Sequence, residues 1–202
     1  MSKEFWNERY AEDELTYGDA PNAFLASMRS VFPSSGTALD IAAGQGRNAV
    51  FLASLGLDVL AVDQSEVGMR VARQLAEQRG LSLHTQTVDL AEYHPAECSF
   101  DAITSIFAHL PEALRTSVLQ SIRSWLRPGG VFVLEAYAPD QIERDTGGPK
   151  DPSMLASVES IINELEGLTI EHSASLVRNV IEGKHHSGDA SVVQLVARKP
   201  LN

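Results

Sequence analysis

The sequence predicts an α/β fold of the Rossmann-like, doubly wound type, with a mostly parallel seven-stranded sheet that ends in a C-terminal antiparallel hairpin. Three observations indicate this fold. Apolar runs alternate with segments of helical periodicity, which is typical of a parallel sheet covered by helices. The turn after the first run is rich in small residues and leads into a helix. The last two runs are joined by the turn signal Gly183–Gly188, which predicts an antiparallel pair.

The order of elements follows from these runs. Residues 3–32 are expected to form two short helices, an N-terminal cap or lid within a single domain of residues 1–202. Five parallel strands are predicted at residues 37–41, 57–62, 81–88, 100–107 and 131–136, the last treated as a continuous apolar run. Helices are predicted at residues 46–55, 65–79, 111–126 and 153–166, and the hairpin strands at 168–181 and 190–198.

Composition argues against several classes of partner. The 202 residues carry a net charge of −11 and no basic cluster, which disfavours nucleic acid and anionic membranes. No apolar run approaches the ~20 residues of a transmembrane helix, and the N-terminus shows no apolar signal segment. The single cysteine, Cys98, fits a reducing compartment, and no metal-ligand spacing occurs. We therefore expect a cytoplasmic protein without a metal, either a monomer or a weak dimer.

The segment Leu39–Ala49 is the most informative part of the chain. It joins a strand end, a small-residue turn and a helix start. Glycines let a ligand approach the backbone, and a helix N-terminus offers free N–H groups. One acid, Asp40, closes this strand, and a second acid, Asp63, closes the next strand, where it can accept both hydroxyls of a ribose. The pattern predicts a site for a nucleoside cofactor.

Two cofactors are compatible with this turn. Residues 44–49 formally match the dinucleotide pattern G-x-G-x-x-G/A, which leaves an NAD(P)-dependent oxidoreductase as an alternative. Three features favour S-adenosylmethionine: Asp40 would repel a pyrophosphate, the chain is short for a second catalytic domain, and the hairpin replaces a sixth parallel strand. Asp40 can pair with the ammonium group of S-adenosylmethionine, directly or through water, while N–H groups at residues 46–48 meet its carboxylate. Asp89 closes the third strand and can accept from the adenine amino group.

The chain resembles the class I S-adenosylmethionine-dependent methyltransferases over roughly residues 15–198. The matching segments are Ala38–Ala49, Val62–Ser65, Val88–Leu90, Phe100–Leu110 and Leu126–Val131. Within this superfamily, the Gly-Gln-Gly-Arg-Asn signature is similar to that of small bacterial methyltransferases of the tellurite-resistance type. One position departs from the pattern, because Ala42 stands where the superfamily has its first glycine. We expect one methyl group at the strand end to be tolerated.

This resemblance implies a cofactor site and an acceptor site at the strand tips. The cofactor-binding candidates are Asp40, Ala42, Gly44, Gly46, Arg47, Asn48, Asp63, Gln64, Ser65, Asp89, Leu90 and Ile106. The catalytic candidates are His109, which follows the fourth strand, and His186, because tellurite-resistance-type enzymes have a histidine in the matching hairpin. Arg178 is expected to attract an anionic substrate, and Tyr17, a further substrate-site candidate, is expected to contribute to a lid over the cofactor. His186 is also a substrate-site candidate.

The predicted function is methyl transfer from S-adenosylmethionine to a small-molecule acceptor by in-line displacement. Proximity and alignment supply most of the acceleration in such a reaction, and a general base is needed only if the acceptor is protonated at neutral pH. Two alternatives stay open on the sequence alone. One is a regulatory protein that binds S-adenosylmethionine without turnover, and the other is the nicotinamide-dependent oxidoreductase.

Overall fold

A seven-stranded mixed sheet forms the centre of the protein over the residues that the computed structural model describes, which are 1–12, 15–183 and 186–201. The strands are β1 (Thr37–Ile41), β2 (Asp58–Asp63), β3 (His84–Thr87), β4 (Phe100–Ile106), β5 (Leu126–Tyr137), β6 (Thr169–Ile181) and β7 (Ser187–Arg198). Their order in the sheet is β3-β2-β1-β4-β5-β7-β6, with β7 antiparallel to both of its neighbours and the other pairs parallel. The predicted fold class is confirmed.

Helices cover both faces of this sheet. They are α1 (Lys3–Glu12), α2 (Ala23–Ser27), α3 (Arg47–Ser54), α4 (Glu66–Gln78), α5 (Glu112–Trp125) and α6 (Val158–Glu164). Apolar side chains of α2, α3 and α4 pack on one face, and those of α5 and α6 pack on the other. None of the helices in the described ranges is long and apolar enough to cross a bilayer.

The first strand shows why both faces are apolar. Successive side chains of a strand point to opposite faces, so Ala38 joins the cluster that contains Leu52, while Leu39 and Ile41 join the cluster that contains Ile122. Each of these side chains is fully or almost fully buried. Burial of a leucine or isoleucine side chain contributes about 1.5–3 kcal/mol. The two-sided core fixes the register that aligns the strand ends.

Three predicted elements have different bounds in the structure. The third strand is short because Leu81 and Leu83 pack against the α3–α4 side of the core instead of pairing with β2. The fifth strand is long because Leu126 pairs with Phe100, and a register shift then carries residues 127–130 into the strand. The helix predicted at 153–166 starts at Val158, because the preceding residues form a 3-10 turn and an extended stretch.

The chain reverses its direction of growth across the sheet between β1 and β4. From β1 it adds β2 and β3 on one side, then crosses back and adds β4 and β5 on the other side. The helices on either side of such a point diverge and leave a crevice at the carboxyl ends of the strands, where ligands bind in open α/β sheets. The candidate site is therefore expected beyond Ile41 and Ile106.

Candidate active site

The turn after β1 brings the chain close to two neighbouring elements. Gly44 and Gly46 both have left-handed backbone, with φ of 56° and 84°. A Cβ atom at Gly44 would lie 2.7 Å from the Tyr10 hydroxyl, and one at Gly46 would lie 2.5 Å from the Ala72 Cβ. The absence of a side chain at Gly44 thus lets Tyr10 of α1 lie against the turn. The absence of a side chain at Gly46 lets α3 pack closely on α4. Contact between Gly46 and a cofactor stays a prediction.

Two residues without the freedom of glycine also have left-handed backbone at this edge of the sheet. Ala42 follows β1 with a φ of 53°, and Phe107 follows β4 with a φ of 51°. Such conformations are uncommon outside glycine and concentrate at functional sites, where the surrounding structure maintains them. Both residues line the crevice between β1 and β4.

Asp63 ties the end of β2 to the turn after β1. Its Oδ2 accepts from the Gly44 N–H at 2.9 Å, and its Oδ1 accepts from the Ser65 N–H at 2.8 Å. Burial raises the pKa of the Asp63 carboxyl, and these N–H bonds oppose the rise. Each carboxylate oxygen has a second lone pair, so Asp63 can still accept two hydroxyl groups from the crevice that it lines.

Ser65, which was predicted to bind the cofactor, has a structural role in the fold. Its hydroxyl caps α4 by accepting from the Gly68 N–H at 3.0 Å, and it donates to Asn7 Oδ1 of α1 at 2.6 Å. It does not line the cavities of the crevice. Ser65 therefore anchors α1, and any direct contact with a cofactor stays a prediction.

Asp40 is a buried acid with one unsatisfied oxygen. The residue is 1 % exposed, and its Oδ1 accepts from the Thr104 hydroxyl at 2.6 Å. Its buried Oδ2 has no hydrogen-bond partner among the described residues. Burial raises the pKa of Asp40 to about 7, although the Thr104 bond and the nearby Arg47 oppose the rise. Such a group is stabilised by a cationic or hydrogen-bond-donating ligand.

The first cavity of the crevice encloses about 790 Å³ of space, part of which is open to solvent. Four of the predicted cofactor residues that line it come from the β1, β2 and β3 ends, namely Ala42, Asp63, Gln64 and Asp89. Leu90 lines it as well. Asp89 Oδ1 accepts from the Ala91 N–H at 2.9 Å, which fixes the carboxylate at the rim.

The second cavity continues the first toward the α3 end and has a volume of about 500 Å³. Gly44, Arg47, Asn48, Ile106, Tyr17 and His186 from the predicted set line it. The two cavities therefore bring together candidates from six separate segments of the chain.

Aromatic residues of α1 roof both cavities. Trp6 and Tyr10 stack with ring centroids 5.5 Å apart, and both line the first and second cavities. Gln45 Oε1 accepts from the Thr16 N–H at 2.7 Å, and Asn48 Oδ1 accepts from the Asn22 N–H at 2.9 Å. These bonds fix the segment after α1 onto the α3 end, as a cap or lid requires. The role of this segment as a lid stays a prediction.

His109 lies where the two cavities meet. It lines both of them, and its buried Nε2 has no hydrogen-bond partner among the described residues. Burial lowers the pKa of His109 to about 4, helped by the positive charge of Arg9. The imidazole is therefore neutral at physiological pH and can accept a proton or a hydrogen bond.

His186 closes the second cavity from the β6–β7 hairpin. It is 5 % exposed, and its ring centroid lies 4.6 Å from that of Tyr17, 5.1 Å from Phe107 and 6.0 Å from His109. The two predicted catalytic histidines and the predicted lid tyrosine are thus close together. The neighbouring His185 lies outside the described residues.

Arg178 has no place in the wall of either cavity. Its guanidinium donates to both carboxylate oxygens of Glu135 and to Glu182. Arg47 also donates to Glu182, and burial, which would raise the pKa of Glu182, is outweighed by these two arginines. Two carboxylates already balance the charge of Arg178, and attraction of an anionic substrate by this residue stays a prediction.

Sequence reasoning missed the partners of this buried ion network. Glu135 is fully buried in β5 and also accepts from Asn22 Nδ2 at 2.6 Å and from Gln194 Nε2 at 2.7 Å. The strand was treated as apolar throughout, although Glu135 interrupts the run. An acid inside an apolar strand indicates a buried partner of opposite charge, and that signal could have located the network.

Comparisons with known proteins identify a domain over the first half of the sheet. Residues 38–130 match a family model described as a methyltransferase domain. A ubiquinone biosynthesis O-methyltransferase of Haemophilus ducreyi is 29% identical over 161 residues, which cover 73% of this chain and 67% of that protein. A probable S-adenosyl-L-methionine-dependent methyltransferase TehB of Haemophilus influenzae is 27% identical over 107 residues, or 52% of this chain and 37% of that protein.

A third relative has a name that gives a nucleic acid as its substrate. A tRNA 5-carboxymethoxyuridine methyltransferase of Escherichia coli is 34% identical over 102 residues, or 49% of this chain and 39% of that protein. The alignments thus span two thirds of the first relative and less than half of the other two.

Solved structures share the fold at low identity. A structure described as the conversion of a disulfide bond into a thioacetal group during echinomycin biosynthesis has a TM-score of 0.79 at 21% identity, covering 99% of this chain and 92% of that chain. TehB from Haemophilus influenzae has a TM-score of 0.74 at 18% identity, covering 96% and 67%.

Proposed function

We propose that this chain, which matches a methyltransferase domain over residues 38–130 and shares the fold of TehB, is an S-adenosylmethionine-dependent methyltransferase that acts on a small molecule. The observation that carries the proposal is the roofed crevice. Acids that fit a cationic nucleoside cofactor line or adjoin its first cavity, and two histidines meet in its second cavity. Aromatic residues of α1 cover both cavities, so the space suits an acceptor of limited size.

We assign the cofactor contacts to residues of the crevice. Asp63 accepts the ribose hydroxyls, Asp89 accepts from the adenine amino group, and the unsatisfied oxygen of Asp40 compensates the ammonium group. The N–H groups at the start of α3 are available to the carboxylate. S-adenosylmethionine, when bound, supplies a methyl carbon activated by a sulfonium.

The residues of the second cavity then position the acceptor. Alignment of two reactants contributes up to roughly 7–11 kcal/mol in favourable cases. The neutral His109 is the base that we assign for an acceptor that is protonated at neutral pH, and we assign His186, beside Tyr17, to orient the acceptor. An anionic acceptor needs no such base. The aromatic walls exclude water from the reacting atoms.

A nucleic-acid acceptor is the competing hypothesis, because one relative is named as a tRNA methyltransferase. The net charge of −11 opposes the phosphate contacts that dominate nucleic-acid affinity. The single thiol, Cys98, supports a reducing compartment such as the cytoplasm. We propose a monomer or weak dimer that acts there on a small molecule.

An acceptor screen tests the function directly. Release of S-adenosylhomocysteine is measured across thiols, selenite, tellurite, amines, carboxylic acids and bulk tRNA, after calorimetry has established S-adenosylhomocysteine binding. Turnover is expected with a small molecule and not with tRNA. Binding without turnover on any acceptor would favour the regulatory alternative. Binding of a nicotinamide dinucleotide, with no affinity for S-adenosylhomocysteine, would overturn the assignment.

The affinity for S-adenosylhomocysteine is expected to fall as the pH falls. Its ammonium group pairs with ionised Asp40, whose pKa is raised by burial to about 7, so a proton must leave before binding at lower pH. Linkage gives an affinity about eightfold lower at pH 6.0 than at pH 7.5, measured by calorimetry. Without ligand, the raised pKa has the opposite effect, and unfolding stability decreases as the pH rises from about 4 to 7.

The substitution Asp40→Asn provides the control for this pH dependence. The amide does not titrate, so the variant should bind S-adenosylhomocysteine more weakly than the wild type does at pH 7.5. Its own affinity should be almost the same at pH 6.0 as at pH 7.5. Thr104 can still donate to the amide oxygen, which keeps the local packing. A pH slope that is unchanged in Asp40→Asn would assign the titration to another group.

A further inference from the structure

A third cavity opens between α1 and the loop at residues 147–149 and has a volume of about 490 Å³. His109, Tyr17 and His186 line it together with Trp6, so it adjoins the second cavity where the two histidines meet. Pro149 forms part of the opposite wall. The third cavity thus shares four lining residues with the second cavity, namely Trp6, Tyr17, His109 and His186.

Arg9 supplies a positive charge to this cavity. Its guanidinium carbon lies 5.0 Å from the centroid of the Phe5 ring, and it hydrogen-bonds to the side chain of Tyr17. The described residues contain no carboxylate within ion-pair distance of Arg9. Burial is the main cause that lowers the pKa of His109, and the positive charges of the N-terminus and of Arg9 add to it.

The contrast with the other arginines of the site is direct. Arg47 and Arg178 are both neutralised by Glu182, and Arg178 also by Glu135. In the part of the chain that the structure describes, no aspartate or glutamate lines the third cavity. In a protein with a net charge of −11, this wall has the charge pattern of a site for an anion.

We propose that the acceptor is an organic anion, a carboxylate on an aromatic or apolar body, and that Arg9 binds its carboxylate. This inference rests on the proposed methyltransferase function. The charge of Arg9 selects the carboxylate, and the rings of Trp6, Tyr17 and His186 pack against the body. An inorganic oxyanion would leave these aromatic walls without contact. The acids of the first cavity thus favour the cationic cofactor there, and Arg9 favours the anionic acceptor in the third cavity.

Calorimetry on the protein saturated with S-adenosylhomocysteine tests the inference with benzoate and its neutral analogue benzamide. Wild-type protein is expected to bind benzoate at least tenfold more tightly than benzamide, and selenite more weakly than benzoate. Arg9→Gln should remove the preference for benzoate, and Arg9→Lys should keep part of it. The matched control is Arg29→Gln, which removes one positive charge at an exposed position away from the site and should behave as wild type.

Two results would overturn the inference. One is equal affinity of the wild type for benzoate and benzamide. The other is an equal loss of affinity for benzoate and for benzamide in Arg9→Gln, which would show that the arginine only packs on Phe5. Affinity for S-adenosylhomocysteine, measured in the same variants, should not change and verifies that the site is folded.

A turnover arm separates this inference from the proposed function. The probes are 2-mercaptobenzoate and thiophenol, of similar size and with the same nucleophilic atom. If both are methylated at equal rates, the function stands and the role of Arg9 fails. If neither is methylated but benzoate is preferred in an Arg9-dependent way, the binding inference stands and the proposed function fails.

Discussion

Replacing Asp63 by alanine is expected to weaken S-adenosylhomocysteine binding at least tenfold. The substitution removes the acceptor for the ribose hydroxyls, and it also removes the bonds to the N–H groups of Gly44 and Ser65 that fix the turn. A hydrogen bond to a charged group contributes about 1.5–3 kcal/mol, so loss of even one accounts for a tenfold effect. Calorimetry at pH 7.5 measures the change.

The control for this substitution is on the same strand. Asp58→Ala removes an identical side chain at the exposed start of β2, where the Asp58 carboxylate pairs with His84. It should leave S-adenosylhomocysteine affinity unchanged. Thermal unfolding of both variants distinguishes loss of the site from loss of the fold. Unchanged affinity in folded Asp63→Ala would refute the ribose assignment.

Replacing Glu135 by alanine is expected to destabilise the protein by about 3–5 kcal/mol. The carboxylate is fully buried and accepts from Arg178, Asn22 and Gln194, so its removal leaves buried donors without partners. Glu182 would then have to balance both Arg178 and Arg47 alone. Urea unfolding followed by circular dichroism measures the difference.

An exposed ion pair on the β6–β7 hairpin provides the comparison. Glu171 accepts from Arg198 through both carboxylate oxygens, in the same bidentate geometry, but both side chains are about one third exposed. Ion pairs at the surface contribute about 0–1 kcal/mol, so Glu171→Ala should cost little. If Glu135→Ala were as mild as Glu171→Ala, the buried network would not stabilise the fold.

The clustering of the residues proposed to bind the cofactor was predictable because its signals are local. The acids Asp40, Asp63 and Asp89 each stand at a strand end, and the carboxyl ends of parallel strands meet at one edge of the sheet. Sequence patterns locate strand ends well, since apolar runs stop there. The fold class followed from the same alternation of strands and helices.

The acceptor half depended on contacts that no local pattern encodes. Arg178 and Arg9 are both plausible partners for an anion in the sequence, and only the fold shows that the first is neutralised by Glu135, 43 residues away. Gly46 and Ser65 fit the cofactor pattern, yet the structure gives them packing and capping tasks. Side-chain partners across the fold decide these roles.

The buried ion network also constrains how the chain can fold during synthesis. Asn22 donates to Glu182, 160 residues later in the chain, and Glu135 accepts from Arg178 and Gln194, which also follow it in the sequence. A nascent chain that has completed only β1–β5 would bury a carboxylate without its counterion, which is costly. The N-terminal segment therefore completes its hydrogen bonds to this network only when the last hairpin is in place, which ties the two ends of the chain together at the site.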